Sequence, residues 1–275
     1  MLQPSRSGRA GRTGPGASRL NYRIDGPDVG PWIVLSNSLG ATLEMWAPQM
    51  EMLTATFQVL RYDTRGHGGS DAPTGPYDFD DLTGDVIALL DHLEIETAAF
   101  MGLSMGGMTG LGLALDHSQR IERLVCADAR ADAPEGFRTS WDERIAKVER
   151  GGLEAIVEGT LSSWLTPDWH AANPQAARNI ADMVLCNDRN GYIACCRALQ
   201  GLDYLRRLPE ISVPVLFVGG ALDKGAAPEV MQAMADATPD ARYHSIEGAA
   251  HVANINAPEA FNSAIEPFLK GAERL

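Results

Sequence analysis

Apolar positions along the chain change period several times, and each change marks an element. Ile33–Ser36 is a short apolar run that stops at a polar turn, and Gln58–Tyr62 is a second. Runs of this length bounded by turns read as strands. Phe79, Leu82, Val86, Leu89, Leu90 and Leu93 then recur at helical spacing behind Asp78-Phe79-Asp80-Asp81, an acidic start suited to a helix N-terminus. This predicts an amphipathic helix over 79–93. Ala98–Met101 reads as a strand, 105–117 as a helix and Ile121–Ala127 as a further strand. Strand and helix alternate as they do in a parallel sheet covered by helices.

From about 134 to 209 the alternation lapses. This stretch reads as helices over Trp141–Arg150, Leu153–Ser163, Ala176–Cys186 and Tyr192–Leu199, broken by Gly151-Gly152, Pro167 and Pro174. Strand character returns at Val213–Val218, followed by a helix over Pro228–Ala237, a last strand over Ala241–Ile246 and a closing helix over Pro258–Leu269. The expected architecture is α/β: a mostly parallel central sheet flanked by helices, built from 20–133 and 210–275, with 134–209 inserted as a helical cap.

Composition narrows the class of protein. The 275 residues are 45% apolar and 21% charged, enough for one large α/β domain with a full core. No segment approaches the roughly 20 continuous apolar residues needed to span a bilayer, so no membrane partner is expected. The net charge of −13 argues against a nucleic-acid partner. Cys126, Cys186, Cys195 and Cys196 show no metal-ligand spacing, and free thiols in a reducing cytoplasm are the simpler reading. Residues 1–19 are rich in Ser, Gly and Arg and lack a signal-like apolar segment, so they are expected to be a disordered extension.

Candidate chemistry sits between the strand at 98–101 and the helix after it. Gly102-Leu103-Ser104-Met105-Gly106 is a G-x-S-x-G element in a strand-to-helix context, where a serine is held on a tight turn with its hydroxyl facing a cleft. The N–H of Met105, opening the helix, is a candidate oxyanion donor. A serine needs a base, and the base an orienting acid. His67, His92, His117, His170 and His244 lie in a Gly-rich turn, near helix ends, in the cap or within a strand. Only His251 follows the last strand in a loop, and it is the candidate base. Asp223, just past the 213–220 run, would emerge at the same carboxyl-terminal sheet edge as Ser104. Asp128, after the strand that follows the elbow, is its rival. The second oxyanion donor is expected from Ser36-Asn37-Ser38-Leu39-Gly40, at Leu39 N–H. Asp63–Ser70 is Gly-rich without a phosphate-loop pattern and reads as bracing around the site.

With these segments in place, the chain resembles the α/β-hydrolase superfamily over about residues 20–270, and within it the 3-oxoadipate enol-lactonases. The resemblance rests on Ser36-Asn37-Ser38-Leu39-Gly40, Met45-Trp46, Arg61–Gly68, Gly75-Pro76-Tyr77, Gly102–Gly107 and Gly191–Cys196. The first of these stands where most of the superfamily has His-Gly. The resemblance implies hydrolysis of a small lactone in aromatic catabolism, without metal or cofactor. Ser104 would attack the carbonyl, His251 relay the proton, Asp223 hold the imidazole, and Leu39 and Met105 stabilise the intermediate.

One stretch departs from the lactonase pattern. Ala127–Pro134 carries Asp128, Arg130 and Asp132 where those enzymes have a small neutral segment. Arg130 could bind a substrate carboxylate, or pair with Asp128 or Asp132 at the cap hinge. Trp141 and Trp164, with Leu161 and Tyr192, either face the cleft or pack between cap helices. Met105, Met108, Leu111 and Leu115 belong to the core. A general carboxylesterase, a carbon–carbon bond hydrolase of ring-cleavage products and a ligand-binding protein on this scaffold are the alternatives; the last is disfavoured because Ser104, Asp223 and His251 are all present.

Overall fold

The computed structural model describes residues 8–13 and 18–271. Its strands are β1 (Arg9–Arg12), β2 (Asn21–Asp25), β3 (Trp32–Ser36), β4 (Gln58–Tyr62), β5 (Ala98–Leu103), β6 (Ile121–Ala127), β7 (Val215–Gly220) and β8 (Ala241–Ile246). They form one sheet in the order β1-β2-β4-β3-β5-β6-β7-β8. β1 and β2 are antiparallel to their neighbours, and every other pair is parallel. The helices are α1 (Met50–Thr54), α2 (Phe79–His92), α3 (Met105–Asp116), α4 (Glu135–Gly151), α5 (Glu154–Trp164), α6 (Pro167–Ala172), α7 (Pro174–Leu185), α8 (Arg189–Gln200), α9 (Pro228–Ala237), α10 (Ala253–Asn256) and α11 (Pro258–Leu269).

Successive strand side chains point to opposite faces, so the central strands, buried on both, feed two cores. Val34 and Phe100 pack with α2, α3 and α9 on one face. Ile33, Leu35, Ala99 and Met101 pack with Leu53 of α1 and with Phe261 and Ile265 of α11 on the other. Helix α2 starts where the acidic cluster predicts, through reciprocal capping bonds. The Asp81 N–H donates to Asp78 Oδ1 at 2.9 Å, and the Asp78 N–H to Asp81 Oδ2 at 3.2 Å. Helices α4 to α8 all lie between β6 and β7 in sequence, above the carboxyl ends of the parallel strands.

Three differences from the sequence expectations have local causes. Arg9–Arg12, expected to be disordered, is an edge strand paired with β2, because backbone pairing at an edge needs no apolar pattern; Arg12 also bonds Asp71 at 2.9 Å. The rest of the expected extension, residues 1–7 and 14–17, lies outside the described residues. Helix α4 begins at Glu135, six residues before the expected Trp141. Its first turns carry few apolar positions and are supported by Phe137 packing edge-on to Trp141 at 5.6 Å. Pro167 and Pro174, expected as breaks, open α6 and α7, since proline's missing N–H costs nothing in a helix's first turn.

The turn 63–70 is pinned to α2 by a buried ion pair. Arg65 donates to Asp85 through Nε at 2.6 Å and Nη2 at 2.7 Å, and Nη1 lies 2.6 Å from the more exposed Asp81. Asp85→Ala strands the buried guanidinium and is expected to lower unfolding free energy by about 3–5 kcal/mol in urea denaturation. Asp81→Ala, which gives up a partly exposed ion pair and one capping bond, should cost less, about 1–2 kcal/mol.

Candidate active site

Ser104 stands between β5 and α3 with φ 56° and ψ −117°, a conformation that L residues rarely adopt. Close backbone packing imposes it. A Cβ on Gly102 would lie 2.1 Å from Gly106 O, and one on Gly106 would lie 2.2 Å from Ser36 O. Only glycine lets the strand, the helix and the neighbouring loop approach this closely. The Ser104 N–H donates to Ala127 O at 2.8 Å, tying the turn to the end of β6.

The structure brings the three side chains chosen from their order along the chain into one hydrogen-bonded run. Ser104 Oγ lies 2.9 Å from His251 Nε2, and His251 Nδ1 lies 2.8 Å from Asp223 Oδ2. Burial drives the His251 pKa down, but the charge and hydrogen bond of Asp223 outweigh it and raise it above the ordinary histidine value of 6.5. Burial opposes ionisation of Asp223, and His251 with the loop N–H groups reverses that, holding it below the usual carboxylate value. Such a run can take the proton from Ser104 as its oxygen attacks an acyl carbon.

Asp128, the rival acid, is engaged elsewhere. Fully buried, it accepts the Gly220 N–H at 2.8 Å through Oδ1 and the Ala253 N–H at 3.2 Å through Oδ2. It thus joins the segments that carry Asp223 and His251. Burial, then the neighbouring Asp223 charge, push its pKa well up.

Met105 is the first residue of α3, where an N–H has no intrahelical acceptor. Leu39 lies in the loop beneath it, and among the described residues no hydrogen bond is made by its N–H. Asn37 holds that loop from below, donating to Tyr62 O at 2.7 Å and accepting the Trp46 Nε1–H at 3.0 Å. This buried bracing accounts for a loop that lacks His-Gly.

Ser104, His251 and Leu39 open onto a cavity of about 1050 Å³ roofed by the cap. Trp164 packs over His251 with ring centroids 6.4 Å apart. Trp141 lines the wall, and its buried indole N–H has no acceptor among the described residues. Arg130 also lines the wall but is engaged by Asp132, through Nη2 to Oδ1 at 2.9 Å and Nε to the backbone oxygen at 2.7 Å. It does not pair with Asp128.

Sequence reasoning passed over Arg144. It lines the same cavity one helical turn from Trp141, and its hydrogen-bond partners among the described residues are neutral: Tyr192 Oη, 2.6 Å from Nε, and Thr160 Oγ1. Its charge reaches His251, whose pKa it lowers. A charged residue in a helix rich in charge reads as solvent-facing, and only the folding of α5 and α8 over it makes it a cavity residue. No group of residues suited to a metal ion occurs among the described residues, and no described helix is long and apolar enough to cross a membrane.

Comparison with known proteins follows the same lines. The family model of the alpha/beta hydrolase fold matches residues 31–258. The chain is 37% identical over 251 residues to 3-oxoadipate enol-lactonase 2 of Acinetobacter baylyi, covering 91% of this chain and 93% of the relative. An enol-lactonase crystal structure from Burkholderia xenovorans LB400 superposes with a TM-score of 0.88 and 42% identity, over 92% of this chain and 97% of that one. A Caulobacter segnis protein assigned as the carbamate hydrolase RutD is 32% identical over 260 residues, 91% of this chain and 96% of its own.

A histidine base works only when neutral, so with His251 in that role its raised pKa is expected to place the acidic limb of kcat/KM above pH 6.5. Asp223→Asn should lower Ser104-dependent ester hydrolysis by on the order of 10⁴-fold and move what remains of that limb to lower pH. Asp128→Asn should act mainly on stability, by about 1–3 kcal/mol, since one amide N–H must then face a backbone donor. A larger rate loss in the Asp128 variant than in the Asp223 variant would reverse the acid assignment.

Proposed function

Because the chain belongs to the alpha/beta hydrolase fold family, we propose that it hydrolyses a small carboxylate-bearing lactone through an acyl-enzyme, with 3-oxoadipate enol-lactone as the leading substrate. The observation that carries this reading is the run Ser104–His251–Asp223 opening into a cavity whose cap wall presents Arg144, hydrogen-bonded among the described residues to neutral groups alone. The identities of 37% and 42% to the two enol-lactonases support it.

In this mechanism Ser104 Oγ attacks the lactone carbonyl as its proton passes to His251 Nε2. Asp223 stabilises the imidazolium through Nδ1–H. The tetrahedral oxyanion takes the N–H groups of Leu39 and Met105. The ring C–O bond then breaks, its oxygen receives the proton from His251, and the chain remains esterified to Ser104. Water, deprotonated by His251, releases the acid and restores the serine. No metal or cofactor takes part in these steps.

Arg144 is the partner assigned to the substrate carboxylate, in preference to Arg130, which Asp132 already engages. Trp141 and Trp164 line the space between that charge and the serine. A cytoplasmic setting fits, since all four cysteines are free.

Carbamate hydrolysis is the second reading, favoured by the 32% identity to the RutD assignment. The higher identities to the two enol-lactonases, 37% and 42%, favour the lactone.

Steady-state rates on the enol-lactone, on a short p-nitrophenyl ester and on carbamate separate these readings, with Ser104→Ala as the blank. For the lactone, kcat/KM is expected at about 10⁴–10⁸ M⁻¹s⁻¹, far above the other two. Arg144→Gln should raise KM for the lactone roughly tenfold to a hundredfold, the loss of one charged hydrogen bond, and leave the neutral ester within about twofold. Ester cleavage without lactone turnover would discard the substrate and keep the chemistry.

A further inference from the structure

The loop that carries the Leu39 donor is gripped by the cap. Ser38 O accepts the Ala41 N–H at 3.0 Å, closing a four-residue turn with Gly40 at φ 86°, a turn position that requires positive φ. In a planar trans peptide the C=O and N–H point in opposite directions, so fixing the Ser38 carbonyl sets the Leu39 N–H. Two side chains hold this turn. On the core side, the Gly40 N–H donates to His67 Nε2 at 2.9 Å, and His67 Nδ1–H donates to Arg65 O at 3.1 Å. On the cap side, Asn187 Nδ2 donates to Gly40 O at 2.9 Å, while its Oδ1 accepts the Gly68 N–H at 3.0 Å.

The two clamps share one platform. His67 is fully buried in the turn 63–70, which Arg65 pins to α2. Burial, working against nearby carboxylates, lowers its pKa below 6.5 and keeps Nε2 an acceptor at neutral pH. Asn187 sits between α7 and α8, and beside it the Asp188 N–H donates to Gly66 O at 3.1 Å. Tyr192, one turn on, packs against Gly40 and accepts from Arg144 through its hydroxyl.

The geometry points to Asn187 and His67 as positioning residues that aim the Leu39 oxyanion donor by clamping Gly40 from cap and core. This rests on the hydrolase reading above. Neither side chain touches the reacting atoms; each acts through the backbone of the loop. Lactone and ester turnover alike therefore depend on the foot of the cap, at 187–192, staying docked.

The test compares Asn187→Ala, His67→Leu and His67→Gln on p-nitrophenyl acetate, with Ser104→Ala as control and inhibition by phenylboronic acid as a second readout. The glutamine amide can return an acceptor near the Nε2 position. A lost oxyanion donor costs about 10²–10³ in kcat, so a misaimed one should cost roughly ten- to a hundredfold, with KM within about twofold. The boronate, whose serine adduct places an anionic oxygen against the same donors, should weaken in parallel. His67→Gln should recover most of what His67→Leu loses.

Parental kcat and boronate affinity in both Asn187→Ala and His67→Leu, with Ser104→Ala inactive, would overturn the clamp and leave the hydrolase reading standing. Activity in Ser104→Ala would overturn the hydrolase reading itself. Equal losses in His67→Gln and His67→Leu, or loss of the fold in Asn187→Ala and both His67 variants, would mean that these bonds hold the domain together rather than aim the donor.

Discussion

A serine backbone held in the left-handed region is the constraint from which the rest of the site is built. That conformation costs on the order of 1–3 kcal/mol and persists only where the surroundings over-determine it. Here they do so through the backbone approaches at Gly102 and Gly106 and the bond from the Ser104 N–H to Ala127 O. The consequences run outward along β6. Ala127 is followed by Asp128, itself at φ 44°, whose carboxylate accepts Gly220 N–H from the end of β7 and Ala253 N–H from beyond His251. One strained residue and one buried carboxylate thus hold in register three segments far apart in sequence, and Ser104, Asp223 and His251 ride on them.

The cap adds a second level to this arrangement. At its hinge, Arg130 pairs with Asp132, and Tyr204 N–H bonds Ala131 O at 2.7 Å. At its foot, Asn187 and Asp188 bond the core turn around Gly66–Gly68 and the loop at Gly40. Tied at these two places, the cap forms one wall of the cavity. Tyr192 stands between the two functions of that wall, its ring against Gly40 and its hydroxyl on Arg144. Arg144 and the Ser36–Gly40 loop are consequently separated by one side chain.

Much of this was legible from local pattern, and the misses share a cause. The central strands and α2 announce themselves by period and by capping chemistry, because those signals are local. Ser104, His251 and Asp223 are recoverable because each follows a strand at the same sheet edge, so their order along the chain carries spatial information. Arg144 and Asn187 carry no such signal. Each is a polar residue in or beside a helix, and its role is set by what folds over it from more than a hundred residues away in the case of Asn187 and Gly40. β1 was missed for a related reason: an edge strand formed by backbone pairing leaves no apolar alternation to read. Asp223 was preferred to Asp128 from sequence although both follow strands, and the structure adds what their carboxylates face: His251 for Asp223, and the Gly220 and Ala253 N–H groups for Asp128.

For a chain with net charge −13, the carboxylate-bearing substrate proposed above poses an electrostatic problem. At physiological ionic strength the Debye length is about 8 Å, so the diffuse negative field of the surface fades before it can exclude a small anion from the cavity mouth. Attraction then has to act at short range and inside the cavity. A guanidinium whose partners are the neutral hydroxyls of Tyr192 and Thr160 meets that need, because no neighbouring carboxylate must be displaced when a ligand arrives. The same charge acts on His251 against Asp223, but as the weakest of the influences on a pKa that stays raised, so its main effect falls on the ligand rather than on the imidazole.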